Sequence, residues 1–146
     1  MKGSSRALII ITLSLTLGAF IYFMTRSESI YLNQWMSDLG LVNVLQFFQT
    51  LVDNADIPHW IIYSLPDALW MLALTLFILM IWDFKLHRRS LPWIALAIIV
   101  GILFEIAQRF HMVPGTFDVI DLILIMLAAL LPVSFIILKM RLWKTN

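Results

Sequence analysis

The sequence contains no cysteine and few charged residues. The lack of cysteine excludes a disulfide, a thiolate nucleophile, a Cys-ligated zinc ion and an iron–sulfur cluster. Charged residues make up only 13% of the 146 residues, and they nearly cancel, leaving a formal net charge of +1. Since soluble domains carry about 25% charged residues, an ordinary cytosolic domain is excluded. A protein with so little net charge has no general basic surface for nucleic acid, so we expect no nucleic-acid partner.

Apolar residues account for 62% of the chain, and the mean hydropathy is +0.93. About 20 apolar residues in a helix cross the hydrocarbon of a bilayer. Four stretches of this kind are present, at about residues 7–25, 60–82, 91–110 and 116–138. The sequence therefore predicts an all-α integral membrane protein with four transmembrane helices, in a single membrane domain over residues 1–146.

The first apolar stretch, residues 7–25, follows Lys2 and Arg6 and therefore has the basic start of a signal peptide. Its apolar run is longer than the usual hydrophobic region of about 7–15 residues, and the small residues of a cleavage position are missing. We therefore expect this stretch to be kept as a membrane anchor.

Basic residues orient the four predicted helices, because cytoplasmic loops are enriched in Lys and Arg. If both termini are cytoplasmic, eight of the ten basic residues lie inside the cell, and only Arg26 and Arg109 lie outside. The opposite orientation inverts these numbers. We therefore expect both termini on the cytoplasmic side and most of the acidic residues on the outer side.

Residues 27–58, between the first two predicted spans, are too many for a tight turn. Within them, residues 41–53 repeat polar side chains at a helical period and leave a wide apolar face. Gly40 is placed to end a preceding short helix over residues 29–39, and Pro58 is placed to end the amphipathic one. We expect one or two interfacial helices on the outer surface of the membrane. Packing over the outer end of the bundle, as a lid, is the alternative.

Acidic residues inside the predicted spans are candidates for a functional site. A carboxylate at the centre of a membrane helix costs about 2.5–3.5 kcal/mol on insertion scales, and such residues usually serve a function. At about 1.5 Å per residue, the acids of the last three spans come to one layer below the outer surface. Residues three or four apart share one side of a helix, so these side chains are expected to face each other. The predicted polar pocket consists of Asp67, Glu105, Gln108, Arg109, Asp118 and Asp121.

Most of these residues also have a purely structural interpretation, but it does not explain Glu105 and Gln108 well, because they lie within the third span and far from any helix cap. Asp118 and Asp121 occupy the positions of an N-cap and of the third helical residue, where acids stabilise a helix start. Pro66 likewise favours a helix start, which would shorten the second span to about 16–17 residues and place Asp67 at the interface. Arg109 would then do no more than neutralise a carboxylate. The sequence alone leaves the pocket and these alternatives open.

The polar residues of the last two spans form a pattern that is known from one family. Glu105 and Gln108 stand as E-x-x-Q, and after a short turn Asp118 and Asp121 stand as D-x-x-D-L at the start of the last span. Asp67 is similar to the acid of a D-K-x-x-H segment, although Lys and His do not follow it here. Over roughly residues 60–135 the chain thus resembles the VanZ-like family of small bacterial membrane proteins, as a divergent member.

This resemblance implies a multi-pass protein of the bacterial inner membrane with a role in the cell envelope. The founding member of the family is linked to lowered susceptibility to a glycopeptide antibiotic, and no reaction is established for it. The chain departs from the family pattern at three positions of the last span, where an asparagine and glycines are replaced by Ile125, Ala128 and Ala129.

Four classes of function fit these residues. The preferred class is a binding protein whose acidic pocket, open to the outside, holds a cation, a lipid headgroup or a lipid-linked envelope intermediate. Oxygen ligands favour Mg²⁺ or Ca²⁺ there, and no other cofactor is expected.

A membrane-embedded enzyme would use Glu105 or Asp118 as general base. It would hold a metal ion with Asp67 and Asp121, but no Ser–His arrangement, HExxH motif or phosphate loop supports it. A transporter subunit and a structural subunit of an oligomer are the remaining classes.

Overall fold

The computed structural model describes residues 2–25, 35, 37–55, 57–113 and 117–144. These residues form helices and no strand, which confirms the predicted all-α class. The helices, in chain order, are α1 (Lys2–Thr25), α2 (Val42–Asn54), α3 (His59–Tyr63), α4 (Leu65–Ile81), α5 (Leu91–Arg109) and α6 (Val119–Lys144).

Three of the described helices are long and apolar enough to cross a membrane. The apolar segments are Ser4–Phe23 in α1, Leu91–Arg109 in α5 and Val119–Met140 in α6, with 20, 19 and 22 residues. At about 1.5 Å per residue, each has roughly the length of the 30 Å hydrocarbon core. These segments coincide with the first, third and fourth predicted spans, and they are compatible with a multi-pass membrane protein.

The second predicted span is divided into two helices. The short helix α3 ends at Tyr63, and the apolar helix α4 begins at Leu65 and has 17 residues. Proline explains the division, because Pro66 has no N–H to donate and its ring crowds the preceding turn. Asp67 consequently lies in the first turn of α4. The helix start that Pro66 favours in the sequence is therefore the one that the structure has.

Helix α4 lies at the centre of the described bundle. It packs most extensively against α1 and α6, and α5 contacts both α4 and α6. The contact with α1 is close because Gly18 has no side chain: a Cβ atom there would lie 2.6 Å from Nε1 of Trp70 and 3.2 Å from the carbonyl oxygen of Pro66. Helices α4, α5 and α6 are thus mutual neighbours, as the predicted pocket requires.

Two apolar clusters hold α4, α5 and α6 together. One is formed by buried Met71, Ala97, Ile125 and Ala129. The other, nearer the α4–α5 turn, is formed by buried Leu79, Ile94 and Ile136. Each cluster takes residues from all three helices, so the clusters fix the helices side by side.

The turn between α4 and α5 is short and internally bonded. Asp83 and Phe84 adopt φ values of 51° and 55°, in the left-handed region, and buried Ser90 accepts a hydrogen bond of 2.9 Å from the backbone N–H of His87. The turn reverses the chain, so that α5 returns antiparallel to α4. We call this end of the bundle the basic end, because its exposed side chains include Lys85, Arg88 and Arg89.

Helix α2 confirms that the amphipathic residues 41–53 form a helix. Among the apolar side chains of this helix that the structure describes, those of Val44, Phe47 and Leu51 are 49%, 61% and 50% exposed. Gly40 precedes it with φ of +68°, the left-handed conformation expected of a helix-ending glycine. The predicted short helix that this glycine would end lies mostly outside the described residues.

Candidate functional site

The polar residues of three neighbouring helices meet at one end of the bundle, which we call the acidic end. Asp67 lies in the first turn of α4, and Asp121 lies in the first turn of α6. Glu105 and Gln108 lie in the last two turns of α5, which runs in the opposite direction. Because the three helices adjoin each other, their polar ends come to the same level.

Glu105 is the central residue of the acidic end. Its side chain is only 3% exposed, and its carboxylate accepts a hydrogen bond from the backbone N–H of Asp118. Three other carboxylates, those of Asp121, Asp67 and Asp118, lie near enough to interact electrostatically with it. The structure thus brings three of the predicted site residues together around a fourth, the buried acid Glu105.

Two buried acceptor atoms of α5 have no hydrogen-bond partner within the described part of the chain. They are Oε2 of Glu105 and Oε1 of Gln108. A buried acceptor that is left unpaired costs about 1–3 kcal/mol, and a charged one costs more. A donor from outside the described residues, such as water or a bound group, would remove this cost.

Asp118 and Asp121 also have the structural roles that the sequence left open. Helix α6 begins at Val119, so Asp118 is its N-cap. The Oδ1 atom of Asp118 accepts a hydrogen bond of 2.9 Å from the backbone N–H of Ile120, and its side chain is exposed. Asp121 is the third residue of the helix and is 6% exposed. Both acids thus lie where acids stabilise a helix start, and both lie near enough to Glu105 to interact with it electrostatically.

Two replacements of Asp118 distinguish the effect of its capping hydrogen bond on stability from the effect of its charge. We expect Asp118→Ala to lower the free energy of unfolding by about 0.5–2 kcal/mol, because the N–H of Ile120 loses its acceptor. Asp118→Asn should keep most of the stability, since the amide oxygen also caps a helix. Thermal unfolding in detergent measures both variants, with the exposed Asp38→Ala as a matched control. Equal losses for Asn and Ala would contradict the capping role.

Arg109 is exposed at the last turn of α5. The charged groups that act on Glu105 in the described structure are all carboxylates. Arg109 is thus not one of the buried groups that surround Glu105, and the described contacts give Glu105 no neutralising guanidinium.

A cleft of about 1130 Å³ runs between α4 and α5 from the acidic end towards the basic end. Its polar lining lies at the acidic end, where Asp67, Glu105 and Gln108 contribute. The rest of the lining is mainly apolar and aromatic: Tyr22, Trp70, Met71, Leu74, Phe77, Ile78, Ile81, Trp82, Trp93, Leu96, Ala97, Val100, Gly101, Phe104 and Ile125. The acidic end is thus continuous with an apolar space along the bundle.

Sequence reasoning did not single out Tyr22, which α1 contributes to this cleft. Its ring lies against Trp70, with 5.5 Å between the ring centroids. A weak signal exists, because Tyr22 lies four residues after Gly18 and therefore on the same side of α1. The sequence does not show that this side of α1 faces α4, because its orientation depends on tertiary packing.

The acids of the described residues do not form a metal cage. Within the described ranges, no group of three or more His, Asp or Glu side chains is placed to hold a metal ion. The expectation of Mg²⁺ or Ca²⁺ thus gains no support from the arrangement of these side chains.

Compared with known protein families, curated proteins and solved structures, the chain matches none. The chemistry of the acidic end therefore has to be inferred from its own residues.

Proposed function

We propose that this chain is a membrane binding protein whose acidic end faces away from the cytoplasm and holds the positively charged or hydrogen-bond-donating head of an envelope ligand. Such a ligand is a lipid or a lipid-linked intermediate. The main observation behind this proposal is the environment of Glu105. This acid is 3% exposed, lies in the wall of an open cleft and has an oxygen that no described residue bonds.

The proposed topology has four spans, with α4 as the second, and both termini in the cytoplasm. Helix α4 supports this because it packs along α1 and α6, although its 17 residues are fewer than the about 20 of a typical span. The basic turn between α4 and α5 would be cytoplasmic. The exposed apolar side chains of α2 support the proposal that this helix lies on the outer membrane surface.

The charge of the acidic end supports a cationic head. Several carboxylates close together repel one another, and a bound ammonium group relieves this repulsion for all of them. The same group donates hydrogen bonds, which Oε2 of Glu105 and Oε1 of Gln108 both lack within the described structure. A negatively charged head would add to the repulsion and would leave both acceptors unpaired.

Membership of the VanZ-like family, and with it a bacterial inner membrane, is part of the proposal. Its support is that the E-x-x-Q and D-x-x-D segments, which end α5 and begin α6, adjoin each other at Glu105 and Asp118. Antibiotic resistance is not part of the proposal, because it does not follow from the chemistry of the site.

Binding of n-butylamine, with n-butanol as the neutral control, tests the proposed function. In detergent-solubilised protein, we expect the amine to raise the melting temperature of the wild type by about 4 °C for each kcal/mol of stabilisation that binding provides. The Glu105→Gln variant should not respond, because it lacks the charge. Asp83→Asn, which removes an exposed acid at the basic end, should respond as the wild type does. Mg²⁺ and Ca²⁺ are added separately.

An equal response of Glu105→Gln and the wild type to n-butylamine would exclude the proposed function. So would a wild-type response to n-butanol as large as the response to the amine. If only Mg²⁺ or Ca²⁺ stabilises the wild type, and Glu105→Gln loses this effect, the site binds a metal ion and not an organic head group.

A further inference from the structure

We infer that the ligand is an amphiphile with a primary ammonium group attached directly to a long apolar chain, and that this chain lies in the cleft between α4 and α5. The inference rests on the proposed function, because it places the ammonium head at Glu105. It adds the nature of the rest of the ligand and the side from which the ligand enters.

The cleft is long enough to hold a lipid chain. Its lining on α4 extends from Asp67 to Ile81, which are 14 residues apart, or about 21 Å along a helix axis. One leaflet of a bilayer contributes about 15 Å of hydrocarbon, half of the core. A small polar ligand at Glu105 would leave most of the cleft of about 1130 Å³ empty.

The lining changes from polar to apolar along the cleft, as an amphiphile does. Acids and an amide line only the acidic end, and the middle is lined by side chains such as Leu74, Val100 and Phe104. These three side chains are 44%, 53% and 56% exposed, so the cleft opens to the outside of the bundle. Its floor is closed, because Met71, Ala97 and Ile125 pack against each other in the core.

An opening on the outside of an apolar bundle faces lipid rather than water. Helix α5 is itself apolar enough to cross the membrane, so the side of the cleft that it forms lies at the depth of the hydrocarbon. A ligand with a long chain therefore enters sideways from the bilayer, and its head moves into the acidic end from the membrane side.

The hydrogen-bond acceptors at the acidic end indicate which head group the ligand has. Glu105 and Gln108 lie at the level where the chain begins, so the atoms next to the chain have to be donors. In a fatty acid a carboxylate follows the chain, and Asp67 and Glu105 would repel it. In a phospholipid ester groups follow the chain and a phosphate lies beyond them; the esters donate no hydrogen bond, and the acids would repel the phosphate. A primary ammonium group next to the chain satisfies both acceptors.

Tetradecylamine in phosphatidylcholine nanodiscs tests the inference, together with short-chain n-butylamine and with tetradecanoic acid as the anionic counterpart. The decisive variant is Val100→Trp, which fills the cleft. Its matched control is Ile99→Trp, because Ile99 is 50% exposed on the same helix but does not line the cleft. We expect Val100→Trp to weaken the binding of tetradecylamine by about tenfold or more, which corresponds to about 1.4 kcal/mol. Ile99→Trp should bind as the wild type does.

The response to n-butylamine shows that Val100→Trp is folded and that its acidic end is intact, since the short amine does not need the cleft. If Val100→Trp binds both amines like Ile99→Trp, the chain does not lie in the cleft and the inference is wrong, while the proposed function stands. If Glu105→Gln binds both amines like the wild type, the proposed function fails as well. Binding of tetradecanoic acid as tight as that of tetradecylamine would show that the ligand does not need an ammonium head and would overturn the inference. A wild-type dimer that Val100→Trp dissociates would assign the cleft to a second copy of the chain and would also overturn the inference.

Discussion

Glu105→Gln should yield a protein that is more stable than the wild type and that no longer responds to ammonium compounds. The expected gain in the free energy of unfolding is about 1–3 kcal/mol. The glutamine retains an oxygen for the backbone N–H of Asp118, which the Glu105 carboxylate accepts in the wild type. It has no negative charge to bury near Asp67 and Asp121. A site that is kept at the expense of stability is typical of residues that serve binding rather than folding.

Thermal unfolding of the purified variants in the same detergent measures this gain. Glu105→Ala is the informative comparison, because it removes the charge and the acceptor together and leaves a cavity; it should be less stable than Glu105→Gln. Asp83→Asn controls for the loss of an acid at an exposed position and should leave stability nearly unchanged. A Glu105→Gln variant that unfolds more easily than the wild type would mean that the carboxylate itself stabilises the fold.

Gly18→Ala should lower the free energy of unfolding by about 1–3 kcal/mol, and Gly18→Leu should lower it further. The reason is steric: a Cβ atom at this position would lie within 2.6 Å of Nε1 of Trp70. The carbonyl oxygen of Pro66, at 3.2 Å, limits how far α1 can shift to relieve the clash. Helix α1 would have to move away from α4, which loses the packing at the centre of the bundle.

Chemical unfolding in mild detergent, followed by Trp fluorescence, measures the effect of these substitutions. Thr16→Leu is a control on the same helix, because Thr16 is exposed, and it should cost little. Trp70→Leu should restore part of the stability of Gly18→Ala, since the smaller side chain makes room for the methyl group. Additive losses in the double variant would show that Gly18 and Trp70 do not interact.

Much of the fold follows from hydropathy. The apolar runs over residues 7–25, 91–110 and 116–138 predict helices that the structure has, with bounds that differ by a few residues. Proline supplied the remaining information, since Pro66 favours a helix start and the structure begins α4 at Leu65. The proximity of α4 to α1 was not predictable, because it depends on a close contact between Gly18 and Trp70 across about 50 residues of chain.

The candidate site was predictable at the level of helical spacing and no further. Spacing indicated that Glu105 and Asp121 would face a shared space, and the structure buries both. It also grouped Arg109 and Asp118 with them, and these two side chains are exposed. The difference arises because the rotation of each helix about its own axis is set by packing, for instance by the apolar clusters around Met71. The cleft is a space between side chains, and no single residue of the sequence encodes it.

Few side chains anchor α5 to the rest of the protein. In the described structure its buried residues are Ile94, Ala97 and Glu105, and one of these three is a carboxylate that gains little from leaving water. The helix that carries the candidate site therefore receives less cohesion from the core than α4, which buries six residues. A ligand in the cleft between α4 and α5 would add the apolar contacts that α5 lacks. Ligand binding in the cleft and the packing of α5 against the bundle would then be thermodynamically linked. The ligand-bound and ligand-free proteins would differ in rigidity more than in shape.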